Sequence, residues 1–223
     1  MKSKYQLDVS VDVLLSNYRK SPENPSPTPD NDCMGMYKYV LKHENISPDH
    51  VLFSGDSAGA KMSLVNCMRM CDSTPELLPL GCLLYSPSVD FEEKEATRRL
   101  QTASCRPHLW TRFTRRTSQM SLTRRALKVS PINGDLRNLP PMFVQYGTLE
   151  RFYEQGMRII AKAKEQGVIN WEVDLLENMP HGAVMLPTNI SPAAKEGIRH
   201  GCEFAAKLAT GVLFKEPEPE VAT

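Results

Sequence analysis

Residues 50–64, HVLFSGDSAGAKMSL, carry the pattern that decides the fold. The short apolar run at 50–55 predicts a strand, and residues 57–70, with small side chains at their start, predict a helix. Ser57 lies between them in the pattern G-x-S-x-G, with glycines at 55 and 59. Such a serine is either a nucleophile raised on a sharp strand-to-helix turn or a small residue in a glycine-rich structural turn.

Strands and helices alternate on both sides of this segment. Further strands are predicted at 11–19, 80–87, 140–147 and 170–177, and further helices at 33–44, 153–167 and 191–211. The prolines within 20–32 are expected to exclude helix until about Cys33. The last strand alternates Trp171, Val173 and Leu175 with acidic residues, which predicts one more apolar face. The alternation predicts an α/β fold, a mostly parallel sheet with helices on both faces.

Composition excludes several classes of protein. The chain has 223 residues, of which 41% are hydrophobic, and a formal net charge of +1, which argues against a nucleic-acid partner. The six cysteines form no zinc-binding pattern, so no metal site is predicted. The N-terminal residues lack the apolar core of a signal peptide, and we expect a cytoplasmic protein. The alternative is membrane association through an N-terminal anchor that this sequence lacks.

The chain is expected to form one domain over residues 1–214, followed by a disordered tail at 215–223. Within it, residues 93–128 are expected to leave the core as a cap-like or loop excursion. Residues 98–128 carry eight arginines and one lysine and no acidic residue. This density of like charge is typical of a solvated basic cap or loop, and the alternative is a docking patch for anionic surfaces or lipids.

A serine nucleophile at such a turn needs a histidine base and an orienting acid, in the chain order serine, acid, histidine. Only His181, in ENMPHGA, follows a predicted strand at the carboxyl edge of the sheet; the other histidines are His43, His50, His108 and His200. The acid should follow the strand at 140–147, where Glu150 and Glu154 are available. Glu150 comes first and is favoured. The turn also aims the N–H of Ala58 at a developing oxyanion.

Four segments resemble motifs of the hormone-sensitive-lipase-like family of α/β-hydrolases. They are YRKSPENPSPTPDND (18–32), GDSAG (55–59), LPPMFVQYGTLE (139–150) and MPHG (179–182). The resemblance implies an α/β-hydrolase fold and a carboxylesterase or lipase acting on short to medium acyl esters. It also implies Ser57 as nucleophile, Glu150 as acid and His181 as base. Aspartate is the commoner acid in this family, and glutamate occurs in some of its branches.

One motif of the resembling family has no counterpart here. That family carries an HGGG-type motif upstream of its YR segment, and its backbone N–H groups complete the oxyanion hole. The 223 residues contain no HGGG. We therefore expect the N-terminal strands of the fold to be missing from this sequence, with sheet edges left unpaired, and weak or no activity of this chain alone.

Two functions from different classes follow from these patterns. In the first, Ser57 attacks an ester carbonyl, His181 takes and returns the proton, and water releases the acyl group. No metal or organic cofactor is implied, and the expected partner is a small acyl ester. In the second, the chain is a catalytically inactive binding or interaction protein on a hydrolase scaffold. The sequence leaves membrane contact and the oligomeric state open.

Overall fold

The structure, a computed structural model, describes residues 11–91 and 130–211. The described residues form a four-stranded, entirely parallel sheet with its strands side by side in chain order. The strands are β1 (Leu52–Asp56), β2 (Gly81–Tyr85), β3 (Met142–Gly147) and β4 (Trp171–Leu176). All four carboxyl ends therefore lie at one edge, the edge at which functional groups of such sheets collect.

Four helices accompany the strands in the described part of the chain: α1 (Thr28–His43), α2 (Ala58–Ser73), α3 (Tyr153–Glu165) and α4 (Pro192–Ala209). Short 3₁₀ turns lie at Pro48–His50, Pro75–Leu77, Pro131–Asn133 and Ala183–Met185. Helix α4 begins as its sequence predicts, because Ser191 Oγ accepts a hydrogen bond from the N–H of Ala194 and Pro192 occupies the first turn.

The central strands are apolar on both faces because helices cover both faces. Successive side chains of a strand point to opposite sides. One face packs with α1, α2 and α3 into the larger core, to which the strands contribute Cys82, Leu84, Met142, Val144 and Tyr146. The other face packs under α4 in a smaller cluster of Leu83, Tyr85, Phe143, Phe204 and Leu208. The predicted α/β architecture, a mostly parallel sheet with helices on both faces, is confirmed.

The strand predicted at 11–19 is wrong. Residues 11–20 have no regular secondary structure, and Val13 and Leu15 are 88% and 86% exposed. A strand needs a hydrogen-bonded neighbour, and this segment pairs with none of the described strands. Its end is held instead by Arg19, whose guanidinium donates to both carboxylate oxygens of Asp32 at 2.7 and 3.0 Å. Arginine and aspartate of the YR segment thus tie the chain to α1.

The prediction that helix begins only at about Cys33 is also wrong. Helix α1 begins at Thr28, five residues earlier, with Pro29 in its first turn. Proline is compatible with this position, because N–H groups in the first turn have no intrahelical acceptor. The earlier start places Asp30 in the core, 2% exposed, where its Oδ1 accepts a hydrogen bond from Lys61 Nζ of α2 at 2.8 Å.

Strand β4 is confirmed, but its more apolar face is only partly covered. Val173 and Leu175 are 40% and 42% exposed. The opposite face lies against α4, where Glu172 accepts from Lys207 at 2.8 Å and Asp174 lies 3.1 Å from His200 Nδ1. Contacts with basic side chains on α4 let acidic side chains occupy the helix-covered face.

Two predicted segments lie outside the described residues. The excursion at 93–128 and the tail at 215–223 lie there, so the single domain over 1–214 stays a prediction. Among the described residues, no helix has the length and apolar character needed to cross a membrane.

Candidate active site

Ser57 occupies a strained turn between β1 and α2. Its φ and ψ are 53° and −107°, a backbone conformation that costs a residue with a side chain free energy. Two backbone hydrogen bonds hold it: the Ser57 N–H donates to Tyr85 O at the end of β2 at 2.8 Å, and the Lys61 N–H donates to Ser57 O at 3.1 Å. The turn therefore sits at the carboxyl edge of the sheet, as a nucleophile elbow requires.

The two motif glycines have different structural roles. A Cβ atom at Gly55 would lie 2.4 Å from the backbone carbon of Gly59, so only glycine allows β1 and α2 to approach this closely. A Cβ atom at Gly59 would meet no atom of the described residues within 4 Å. Close packing therefore requires glycine at 55, and the described residues impose no such requirement at 59.

His181 lies on the loop that follows β4, and backbone contacts bind this loop to the one that follows β3. The Thr148 N–H donates to Leu176 O at 3.0 Å and the Leu149 N–H to Met179 O at 3.1 Å. Gly147 must be glycine here, because a Cβ atom would lie 2.2 Å from Met179 O. These contacts place His181 Nε2 3.0 Å from Ser57 Oγ, which is hydrogen-bond distance.

Glu150 follows β3 on the loop bound to that of His181. Its side chain is fully buried, and its Oε2 atom lies 3.7 Å from His181 Nδ1. The same oxygen accepts hydrogen bonds from Ser86 Oγ at 2.5 Å and from the Gly147 N–H at 3.2 Å. Glu154, the other candidate, is exposed on the first turn of α3. Of these two carboxylates, Glu150 is the one that lies beside His181.

Two further atoms at the site are buried without a hydrogen-bond partner among the described residues. They are His181 Nδ1 and Glu150 Oε1. Buried polar atoms are rarely left unpaired in folded proteins, and exceptions cluster where chemistry occurs. If the 3.7 Å separation between His181 Nδ1 and Glu150 Oε2 shortened, the nitrogen would gain a hydrogen bond. Hydrogen bonds between catalytic groups commonly shorten in this way when substrate binds.

Asp56 and Phe152 complete the surroundings of the histidine. The rings of Phe152 and His181 pack edge to face, with their centroids 4.8 Å apart. Burial raises the pKa of the Asp56 carboxyl; the nearby His181 opposes this rise and the negative charge of Glu150 adds to it. One oxygen of Asp56, Oδ1, is buried and has no hydrogen-bond partner among the described residues.

Ser86, Phe152 and Asp56 belong to the site and were not predicted from the sequence. Ser86 lies within the strand predicted at 80–87, so the sequence did not distinguish it from the other residues of that strand; in the structure it directly follows β2, at the same sheet edge as the other three groups. Ala58, the expected oxyanion donor, is the first residue of α2 and is exposed. A helix N-terminus carries partial positive charge, which favours a negative atom beside it.

Comparison with known proteins identifies the class. Residues 5–185 match the α/β-hydrolase fold family. A hormone-sensitive lipase from a metagenome library has the same fold, with a TM-score of 0.73 at 25% identity, over 85% of this chain and 65% of that protein. The chain belongs to the α/β-hydrolase fold family, as a hormone-sensitive-lipase-like member.

Two curated relatives are similar in sequence. An esterase from Acinetobacter venetianus is 28% identical over 201 residues, which cover 89% of this chain and 65% of the esterase. An acetyl-hydrolase from Streptomyces hygroscopicus is 31% identical over 161 residues, which cover 70% of this chain and 51% of the relative. The chain thus spans between half and two thirds of the length of these relatives.

Proposed function

We propose that this protein is a carboxylic ester hydrolase in which Ser57 is the nucleophile, His181 the general base and Glu150 the orienting acid. The observation that carries the proposal is the 3.0 Å separation of Ser57 Oγ and His181 Nε2, with the serine on a strained elbow. A serine hydroxyl is a weak nucleophile by itself, and a base within hydrogen-bond distance activates it.

In the first half of the reaction, Ser57 Oγ attacks the ester carbonyl carbon while its proton moves to His181 Nε2. The carbonyl oxygen gains negative charge, and the Ala58 N–H at the start of α2 donates a hydrogen bond to it. The tetrahedral intermediate collapses when the bond to the alcohol oxygen breaks. The proton on His181 passes to that oxygen, and an acyl group remains on Ser57.

In the second half, water attacks the acyl carbonyl and gives a proton to His181 Nε2. Collapse of the second intermediate releases the carboxylic acid and returns the proton to Ser57 Oγ. The imidazolium formed in both halves carries a positive charge beside the buried Glu150 Oε2. The carboxylate stabilises this charge and keeps the proton-bearing Nδ1 turned away from the serine.

The names of the similar proteins support esters of small acyl groups as substrates. They include an esterase and an acetyl-hydrolase. None of the steps above requires a metal ion or an organic cofactor, because the protein's own side chains move every proton. We propose short to medium acyl esters as the substrate class.

Hydrolysis of p-nitrophenyl acetate and butyrate tests the proposal. We expect the 223-residue chain to release p-nitrophenol above the buffer rate and Ser57→Ala to abolish the release. Ser63→Ala is the matched control, because Ser63 lies on α2 and its hydroxyl bonds to Gly59 O. Equal hydrolysis by the native chain and Ser57→Ala would reject the proposed nucleophile.

A further inference from the structure

Ser86 lies directly after β2, between the elbow and the acid. It is 5% exposed and has a φ of 48°, in the left-handed region that favours glycine. Two contacts hold this turn: the Ser86 N–H donates to Gln145 O at 2.7 Å, and Tyr146 Oη donates to Pro87 O at 2.9 Å. A residue with a side chain is costly at such a φ, so an interaction of the side chain must offset the strain.

The hydroxyl of Ser86 supplies that interaction. Ser86 Oγ donates to Glu150 Oε2 at 2.5 Å, inside a region closed to solvent. Hydroxyl-to-carboxylate bonds of this length are among the stronger hydrogen bonds in proteins. The oxygen it fixes is the one that lies 3.7 Å from His181 Nδ1.

Tyr85 and Ser86, at the end of β2, thus contact the nucleophile on one side of this strand and the acid on the other. Tyr85 O accepts the N–H of Ser57 at 2.8 Å, and Ser86 Oγ donates to Glu150. Strand β2 lies between β1, which leads to the nucleophile, and β3, which leads to the acid. The Tyr85–Ser86 pair therefore sets the distance between nucleophile and acid across the sheet.

We propose that Ser86 is a positioning residue for the reaction, acting through Glu150; this inference rests on the proposed function. Its hydroxyl, together with the Gly147 N–H, keeps Oε2 facing His181 while Oε1 stays buried without a partner among the described residues. Without the hydroxyl the carboxylate rotates, Oε2 leaves the histidine, and the imidazolium of the transition state loses its counter-charge.

The test uses Ser86→Gly, which removes the hydroxyl and also relieves the backbone strain, so that loss of folding does not obscure the result. We expect kcat for p-nitrophenyl butyrate to fall about tenfold to hundredfold, the cost of a small misplacement, with KM within about twofold. The acid limb of the pH profile should move to lower pH. In the Glu150→Gln background, Ser86→Gly should cause no further loss. Ser88→Ala, a second buried serine nearby, is the control.

A readout without turnover separates this inference from the proposed function. We expect Ser86→Gly to change the ¹⁵N chemical shifts of the His181 ring and Ser88→Ala to leave them unchanged. Unchanged shifts and kcat in Ser86→Gly, or an equal loss in the Glu150→Gln background, would overturn the positioning role. Higher kcat would also overturn it, because Ser86 would then compete with His181 for Oε2. Absent hydrolysis by the native chain would reject the proposed function, and the ring shifts would still decide the role of Ser86.

Discussion

His181 Nδ1 lies 3.7 Å from Glu150 Oε2, while the other ring nitrogen of His181 is already at hydrogen-bond distance from Ser57. Ser57 and His181 are therefore already at hydrogen-bond distance, whereas His181 and Glu150 must move slightly closer together to form a hydrogen bond. Stabilisation of the imidazolium requires that movement, which makes Glu150 the most informative residue to change.

We expect Glu150→Gln to lower kcat by about 10²–10⁴, because the amide offers no negative charge to the imidazolium and permits the wrong histidine tautomer. KM should change little, since the carboxylate is buried away from the substrate. Steady-state hydrolysis of p-nitrophenyl butyrate measures both constants. Glu154→Gln, on the exposed start of α3, is the matched control. If Glu154→Gln lost activity and Glu150→Gln kept it, Glu154 would be the acid and Glu150 would not.

Gly55→Ala should destabilise the fold, whereas Gly59→Ala should not. The new Cβ atom at 55 would lie 2.4 Å from backbone, which costs about 1–3 kcal/mol or more through forced displacement of β1 or α2. At 59 a Cβ atom would meet none of the described residues within 4 Å, and alanine favours helix over glycine by up to about 1 kcal/mol. Urea denaturation compares the two variants with the native chain. Equal midpoints for both variants would contradict the close approach of strand and helix.

Asp56→Asn should stabilise the protein near neutral pH. Burial is the main cause that raises the pKa of this carboxyl in the folded protein. The contribution of the carboxyl to folding stability is therefore complete below the ordinary pKa of 3.8 and is lost as the pH rises through the raised pKa. Asparagine does not ionise and avoids that loss. The advantage of the variant, measured by urea denaturation, should shrink as the pH falls toward 3.8.

Asp32→Asn is a control for which the expected change in folding stability has the opposite sign. Hydrogen bonds from Arg19 hold the pKa of Asp32 at about 2, so its contribution is present above the ordinary value of 3.8 and is lost as the pH falls. This variant should be less stable than the native chain at neutral pH and approach it in acid. The same direction for both variants would show that burial does not govern the Asp56 carboxyl.

Lys61→Met should destabilise the packing of α1 on α2. It leaves the Asp30 carboxylate, 2% exposed, without its cation, and breaking a buried ion pair from one side costs about 3–5 kcal/mol. Adding Asp30→Asn to this variant should recover much of the loss, because both charges are then gone. Additive losses in the double variant would show that the two groups do not act as a pair.

Hydrophobic periodicity and the GDSAG turn were sufficient to predict the sheet, its parallel direction and the helix after the elbow. They failed at 11–19, because a strand-like pattern does not show whether a partner strand exists. They failed at Thr28 because proline was treated as a barrier to helix when it is compatible with the first turn. On β4, alternation predicted the strand but not that basic side chains of α4 contact its acidic residues.

Chain order and position at the sheet edge selected the candidate site residues, and the structure places Ser57, His181 and Glu150 side by side; their catalytic roles remain predictions. Ser86 was missed because its role depends on a contact 64 positions away along the chain, with Glu150. Local sequence patterns do not report such contacts. The different requirements at Gly55 and Gly59 likewise depend on the packing of β1 against α2.

Labelling with a fluorophosphonate probe, followed by mass spectrometry of the labelled peptide, tests the central claim most directly. An activated serine attacks the phosphorus and displaces fluoride, so the probe reports the nucleophile without requiring a particular ester. We predict a single adduct on Ser57, absent in Ser57→Ala and His181→Ala and retained in Ser63→Ala. No adduct on the folded native chain, or an adduct on another serine that persists in Ser57→Ala, would contradict the account.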